Sequence, residues 1–229
     1  MIFGGFQKTD LINYPGKVAS TVFTRGCNFR CPYCHNPEFV IQGSDQTYFG
    51  ETYTEEEVLA FLRKRSSFLD ALVISGGEPT LHSDLPTFIR KVRDMGLMVK
   101  LDTNGSRPDV LGSLLAENLL DYVAMDIKAP LEKYHLLGFD GIKSIEESIK
   151  ILDASETDHE FRTTCARAIV AEDDFRKIAG ILGPDAKWYL QPFNPAKTLD
   201  PAYTSETTWS SEELKAIATA LGRKNTFVR

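Results

Sequence analysis

Lys17-Val18-Ala19-Ser20-Thr21-Val22-Phe23-Thr24-Arg25 runs directly into Gly26-Cys27-Asn28-Phe29-Arg30-Cys31-Pro32-Tyr33-Cys34-His35-Asn36-Pro37. The first segment is short and rich in β-branched residues, which reads as a buried strand. The second is a loop with three thiols spaced Cys-x3-Cys-x2-Cys, and the fourth cysteine, Cys165, lies far off in sequence. Three is an unusual number. Structural zinc closes four ligands, and disulfides use even counts. A cubane iron–sulfur cluster held by three thiolates leaves one iron open to a substrate or cofactor.

The same strand-then-loop pattern recurs down the chain. Ala71-Leu72-Val73-Ile74-Ser75 leaves through Gly76-Gly77-Glu78-Pro79, and Leu97-Met98-Val99-Lys100-Leu101 through Asp102-Thr103-Asn104-Gly105. Asp121-Tyr122-Val123-Ala124-Met125-Asp126 exits through Ile127-Lys128-Ala129-Pro130. A fifth strand falls within 159–169 and carries Arg162; a sixth is Lys187-Trp188-Tyr189-Leu190-Gln191. Helical segments separate them. Thr54-x-x-Glu57, Ser144-x-x-Glu147 and Ser210-x-x-Glu213 read as capping boxes, and Pro108 as a first-turn residue. Further helices are expected near 83–95 and 174–182, whereas 37–53 reads as a loop.

Six strands alternating with helices predict a parallel sheet with right-handed crossovers. The chain, at 229 residues, is short for eight βα units, so a curved six-unit partial barrel and an open doubly wound sheet both fit. No composition break marks a second domain. Residues 1–16 read as an N-terminal extension closed by the Asn13-Tyr14-Pro15-Gly16 turn, and 192–229 as an irregular segment plus a last helix.

With 42% hydrophobic and 25% charged residues the chain can bury a full core. A net charge of -6 argues against a nucleic-acid partner. No apolar run reaches the roughly 18 residues of a membrane span. The N-terminus lacks a signal-peptide pattern, and clustered, unevenly spaced cysteines suit a reducing cytoplasm.

In parallel α/β architectures, chemistry gathers where the strands end. Here consecutive exits carry the thiols, Gly76-Gly77-Glu78-Pro79, Asp102-Thr103-Asn104-Gly105, Asp126-x-Lys128, Arg162 and Gln191 to Asn194. Cys165 is expected to be a buried strand thiol. His35 is a candidate fourth ligand of a Cys3His zinc site. His82, His135 and His159 are expected at the surface or at helix ends, Trp188 in the core, and Trp209 as a surface packing residue.

Cys27-x3-Cys31-x2-Cys34 with Tyr33, followed by Gly76-Gly77-Glu78-Pro79, resembles the radical S-adenosylmethionine (SAM) enzymes. The Gly26-to-Asn36 loop, Asp102-Thr103-Asn104-Gly105 and Asp126-Ile127-Lys128 resemble the activases of glycyl radical enzymes. Leu11-Ile12-Asn13-Tyr14-Pro15-Gly16-Lys17 and Cys34-His35-Asn36-Pro37-Glu38 look most like anaerobic ribonucleoside-triphosphate reductase activating proteins. The resemblance implies a single-domain partial (β/α)6 barrel of the TIM type. It implies a [4Fe-4S] cluster on Cys27, Cys31 and Cys34, with SAM chelating the fourth iron. One electron then cleaves the sulfonium to methionine and a 5′-deoxyadenosyl radical, which takes hydrogen from a glycine of a partner enzyme.

By the same resemblance Gly76, Gly77 and Glu78 meet the methionyl amino group, Tyr33 approaches the adenine, and Arg162 contacts SAM. Asp102, Thr103 and Asp126 map to a monovalent-cation site, and Lys128 lies near the substrate peptide. Asn194 stands where relatives carry His, which puts a SAM contact there in doubt. Without a cysteine between Cys34 and Gly76 the chain reads as single-cluster, with flavodoxin or ferredoxin as electron donor. A SAM enzyme acting on a small molecule, an activase of the pyruvate formate-lyase type and a zinc-binding interaction module are the competing functions.

Overall fold

Strand order follows chain order through most of the sheet. The computed structural model describes residues 1–40 and 51–229. Its strands are β1 (Ile2–Asp10), β2 (Ala19–Thr24), β3 (Tyr53–Thr54), β4 (Ala71–Gly76), β5 (Met98–Thr103), β6 (Tyr122–Asp126), β7 (Asp158–Cys165), β8 (Trp188–Pro192) and β9 (Thr226–Val228). They pair in the order β3-β1-β2-β4-β5-β6-β7-β8-β9. From β2 to β9 every pairing is parallel, whereas β1 runs antiparallel to β2 and β3. The parallel strands β2 and β4 to β9 run in chain order without a reversal, whereas a doubly wound sheet must reverse at its switch point. This is an open, partial barrel.

The helices are α1 (Pro37–Val40), α2 (Glu55–Arg65), α3 (Leu85–Arg93), α4 (Pro108–Ala116), α5 (Ile142–Asp153), α6 (Glu172–Ile181) and α7 (Ser211–Leu221). From α2 onward each precedes the next parallel strand, so β2 and β4–β8 are the six expected units and β9 closes the series. Thr54 and Ser210 cap α2 and α7 through complete capping boxes. Among the described residues no helix is long and apolar enough to cross a membrane.

Five expectations need correction. Residues 2–10 are not an extension but a sheet strand, and 226–228 add a strand beyond the last helix. Gly4 and Gly5 dilute the strand pattern of β1; a Cβ on Gly4 would strike the Phe39 ring. Helix α5 starts at Ile142 with Gly141 as its cap residue, so Ser144 sits inside the first turn and does not cap. Gly138, in the left-handed conformation (φ 66°), turns the chain out of the preceding 3-10 turn (Leu131–Leu137) early enough for that. Trp209 is buried, its indole N–H donating to the Val170 carbonyl at 2.9 Å with Arg167 over its ring. The loop expected over 37–53 begins as α1, and its stretch 41–50 lies outside the described residues.

Strand alternation sorts the core. Leu72, Ile74, Val99, Leu101, Val123, Met125 and Phe161 face the helices and join one apolar cluster with Leu62, Phe88, Ile89, Leu114, Ile149 and Phe175. Trp188 belongs to it as expected, and so does Cys165, fully buried. The inner face is different. At its floor Tyr14 packs on Tyr122 with ring centroids 5.6 Å apart. Beside them Glu160, fully buried, accepts from Tyr122 Oη (2.9 Å) and pairs with Arg229 at 3.0 and 3.2 Å. Higher up, the inner face carries Lys100, Asp102, Asp126 and Arg162, and it opens upward into a cavity.

Candidate active site

One cavity of about 340 Å³ lies at the C-terminal ends of the parallel strands. Cys27, Cys31, Cys34 and Tyr33 line it from the loop after β2, and Gly76, Gly77 and Glu78 from the end of β4. Asp102 and Thr103 come from β5, Asp126 and Lys128 from β6, and Arg162 from β7. Every site residue expected from sequence therefore reaches the same space. Cys165 does not, because it faces the helices, and Asn194 is exposed with its carboxamide oxygen accepting from Ala196 N.

The cysteine loop is fastened on several sides. Gly26 N donates to Phe39 O (2.6 Å), Arg30 N to Leu137 O (2.7 Å), and Asp200 N to Pro32 O (2.9 Å). Phe29 stacks on Phe139 at 4.4 Å between centroids. Tyr33 is buried and its hydroxyl donates to the Lys128 carbonyl at 3.2 Å. The loop thus hangs between the β2 exit and the segment after β6.

Gly76 and Gly77 are required by the chain itself. Gly76 has φ +114°, and a Cβ there would collide with the backbone of Thr24; one on Gly77 would collide with the Gly26 carbonyl. Gly77 N donates to Thr24 O (2.9 Å) and Glu78 N to Gly26 O (2.8 Å), which binds this turn to the root of the cysteine loop. Glu78 is fully buried. Its Oε1 accepts from Thr80 and from Thr103 Oγ1 (2.8 Å), and its Oε2 from Asn104 N (2.7 Å), so it ties the β4 and β5 exits together. Burial pushes its carboxyl upward against these donors.

The donor chemistry fits an iron–sulfur cluster. Burial, with Glu78 nearby, pushes the Cys27 thiol up to about 11, and burial pushes Cys31 up to about 12. Metal binding reverses this, because coordination deprotonates a thiol outright. Phe29 N points at Cys27 Sγ (3.4 Å) and Asn104 Nδ2 at the same sulfur (3.8 Å), donors of the kind that tune cluster potentials. Among the described residues no three Cys, His, Asp or Glu converge on a point as one metal ion requires. A cubane spreads its thiolates over separate irons and makes no such demand. His35, the fourth ligand in the Cys3His alternative, stacks on Phe193 and pairs its Nε2 with the Asn194 carbonyl at 2.9 Å.

Opposite the thiols stands a charge network. Arg162 Nε lies 2.8 Å from Asp126 Oδ1, and its Nη1 lies 3.4 Å from Asp102 Oδ2. Lys128 Nζ is 3.1 Å from Asp126 Oδ2, and Lys100 Nζ is 2.6 Å from Asp102 Oδ1. Burial alone would raise both carboxyls, but the cations win: Arg162 and Lys128 hold Asp126 at about 2, and Arg162 and Lys100 lower Asp102. The donor set expected for a monovalent cation does not fit one as it stands. Both Asp102 oxygens face fixed cations, and Thr103 Oγ1 is taken up between Glu78 and Gly105 N.

Lys100 is the member that sequence reasoning passed over. Its signal in the sequence is the two-residue spacing from Asp102, which puts both on one face. Asn28 was missed as well: its carboxamide joins Asn104 (3.0 Å) and Ser106 (2.9 Å) behind the thiols.

Comparison with known proteins agrees with this geometry. Residues 21–162, more than half of the chain, match the Radical SAM superfamily. A protein of Methanocaldococcus jannaschii named as a glycyl-radical enzyme activating enzyme is 32% identical over 223 residues, covering 94% of this chain and 90% of its own. A pyruvate formate-lyase-activating enzyme of Clostridium pasteurianum is 26% identical over 183 residues, covering 77% and 74%. The crystal structure of QueE from Escherichia coli superposes with a TM-score of 0.59 at 14% identity over 100% of this chain and 93% of that one, a likeness of fold. The chain belongs to the radical SAM superfamily and, within it, to the glycyl-radical enzyme activating enzymes.

Proposed function

We propose that this protein puts a glycyl radical on anaerobic ribonucleoside-triphosphate reductase, using an electron from flavodoxin or ferredoxin. The observation that carries the reading is the convergence of three thiols and five later strand-exit groups on one cavity. When bound by Cys27, Cys31 and Cys34, a [4Fe-4S] cluster with SAM at its open iron supplies one-electron cleavage of the sulfonium and hydrogen abstraction from a glycine Cα.

The chain's own residues do the rest. The backbone of Gly76 and Gly77 lets a ligand amino group approach a wall without side chains. Glu78 keeps that wall in register with Thr103. Arg162, held by two aspartates, presents a fixed guanidinium to a ligand carboxylate or ribose. Tyr33 shapes the loop beside the adenine. Lys128, 20% exposed, keeps its charge beside Asp126 at the cavity wall, where the partner's peptide enters.

The test is anaerobic reconstitution with iron and sulfide, reduction and addition of SAM. 5′-Deoxyadenosine should form, and a candidate reductase should acquire a glycyl radical signal in electron paramagnetic resonance. Cleavage without that signal rejects this partner and turns the search to formate-lyase-type enzymes. Absence of cleavage in a cluster-loaded sample rejects the activase chemistry.

A further inference from the structure

Lys100 has no reason to be buried unless something inside needs its charge. It is 1% exposed in the middle of β5, where an unpaired ammonium would cost more than the strand could offset. Its partner is Asp102, 2.6 Å away, with the Tyr122 ring face 5.8 Å from Nζ. At the cavity end of this face Asp102 and Asp126 stand against Lys100, Lys128 and Arg162, while Glu160 and Arg229 pair with each other at the floor. Two carboxylates already face three cations.

A sodium or potassium ion on Asp102, Thr103 and Asp126 would bring a fourth positive charge to that pair. It would also need oxygen lone pairs that now accept from Lys100, Arg162 and Lys128. We infer that Lys100 is a built-in counter-cation: its tethered ammonium does for Asp102 what a bound monovalent ion would do, and the site takes no such ion. A tethered charge is present at unit occupancy whatever the salt, so Asp102 and, through Arg162, Asp126 stay fixed in potassium-poor and potassium-rich media alike. Lys100 is thus a positioning residue. It acts on the cavity through Asp102 and Arg162.

The test uses the anaerobically reconstituted full chain without SAM or partner, so its failure leaves the proposed activity untouched. At constant ionic strength, potassium or sodium is exchanged for tetramethylammonium, and thallium(I) serves as a potassium probe by 205Tl magnetic resonance. The wild type should melt at the same temperature in all three salts and show no bound thallium. Lys100→Ala, which opens a carboxylate-lined space of ammonium size, should bind thallium and regain stability saturably with potassium. Saturable potassium or sodium stabilisation of the wild type, or bound thallium in it, overturns the inference. So does a folded Lys100→Ala protein indifferent to all three cations. If Lys100→Ala does not fold, Lys100→Gln takes its place, and the wild-type measurement decides alone if neither folds.

Discussion

Glu78 Oε2 accepts the backbone N–H of Asn104 at 2.7 Å, from within a site where Glu78 has no solvent exposure at all. That bond, with the one from Thr103 to Oε1, makes the β4 and β5 exits one rigid wall of the cavity. Glu78→Gln keeps the shape but turns one oxygen into a donor facing donors. Loss of one buried acceptor is expected to cost about 1–3 kcal/mol. For a chain of this size each kcal/mol moves Tm by about 2–4 °C. A thermal melt of iron-free protein checks it, and a shift under a degree would show that the wall does not depend on this carboxylate.

Asp126 gives the fold an acid limit. Its carboxyl is held at about 2 in the folded protein, against an ordinary value near 3.8, with burial opposing and Arg162 and Lys128 prevailing. A lowered folded value means the stabilisation is complete above about pH 4 and is lost as pH falls through about 2. The share is at most about 2 kcal/mol, because the side chain is 30% exposed and solvent screens it. Urea titrations from pH 5 down to pH 2 should show stability falling across this window, more steeply in the wild type than in Asp126→Asn. Equal slopes would assign the acid limit to other carboxylates.

At the barrel floor, Glu160 and Arg229 form a pair whose carboxylate is fully buried and whose guanidinium is 38% exposed. Arg229→Met leaves the buried Glu160 carboxylate with Tyr122 as its remaining donor among the described residues, and loss of a partner from this half-buried pair is expected to cost about 1–3 kcal/mol. Glu160→Gln added to Arg229→Met should recover much of that loss. The double-mutant cycle by denaturant unfolding decides between a charge effect and the simple loss of the Arg229 contact with Tyr189, whose ring lies 4.0 Å from the guanidinium carbon.

Much of this site was legible because parallel strands leave on the same side, so motifs at consecutive exits had to meet. That logic placed Cys27, Gly76, Asp102, Asp126 and Arg162 in one cavity without any distance. It did not extend to roles that depend on what each group faces. Gly76 and Gly77 read as room for a ligand, yet the backbones of Thr24 and Gly26 already demand them. Lys100 drew no role of its own, because periodicity gives a face but not its polarity. Strands β1 and β9 escaped for a related reason: glycines interrupt the first and the second has three residues, and both are strands through pairing rather than propensity.

The two classes of cysteine should separate cleanly. Cys31→Ala is expected to lose the cluster, read as iron content and visible absorbance after reconstitution. Cys165, fully buried among apolar side chains, has its thiol pushed up to about 12 by burial and donates to Thr163 O at 3.3 Å. Cys165→Ala should keep full iron content and lose on the order of 1 kcal/mol of stability. Iron loss in Cys165→Ala would show that this thiol supports the cluster at a distance.

Lys128 is where binding and radical transfer should come apart. Its carbonyl receives Tyr33 and its N–H points at Tyr134 Oη (3.4 Å), so the backbone holds the cysteine loop whatever the side chain is. The ammonium alone reaches Asp126, which keeps Arg162 if Lys128 is removed. Lys128→Met should therefore retain cluster content and SAM cleavage. If the ammonium orients the partner's peptide, the yield of glycyl radical per 5′-deoxyadenosine formed should fall by roughly tenfold or more, the scale of loss that follows a misplaced reacting group. Parallel assays of 5′-deoxyadenosine and radical signal measure that ratio. A ratio equal to that of the wild type would confine Lys128 to holding Asp126, and a matched fall in both would move it to the SAM site.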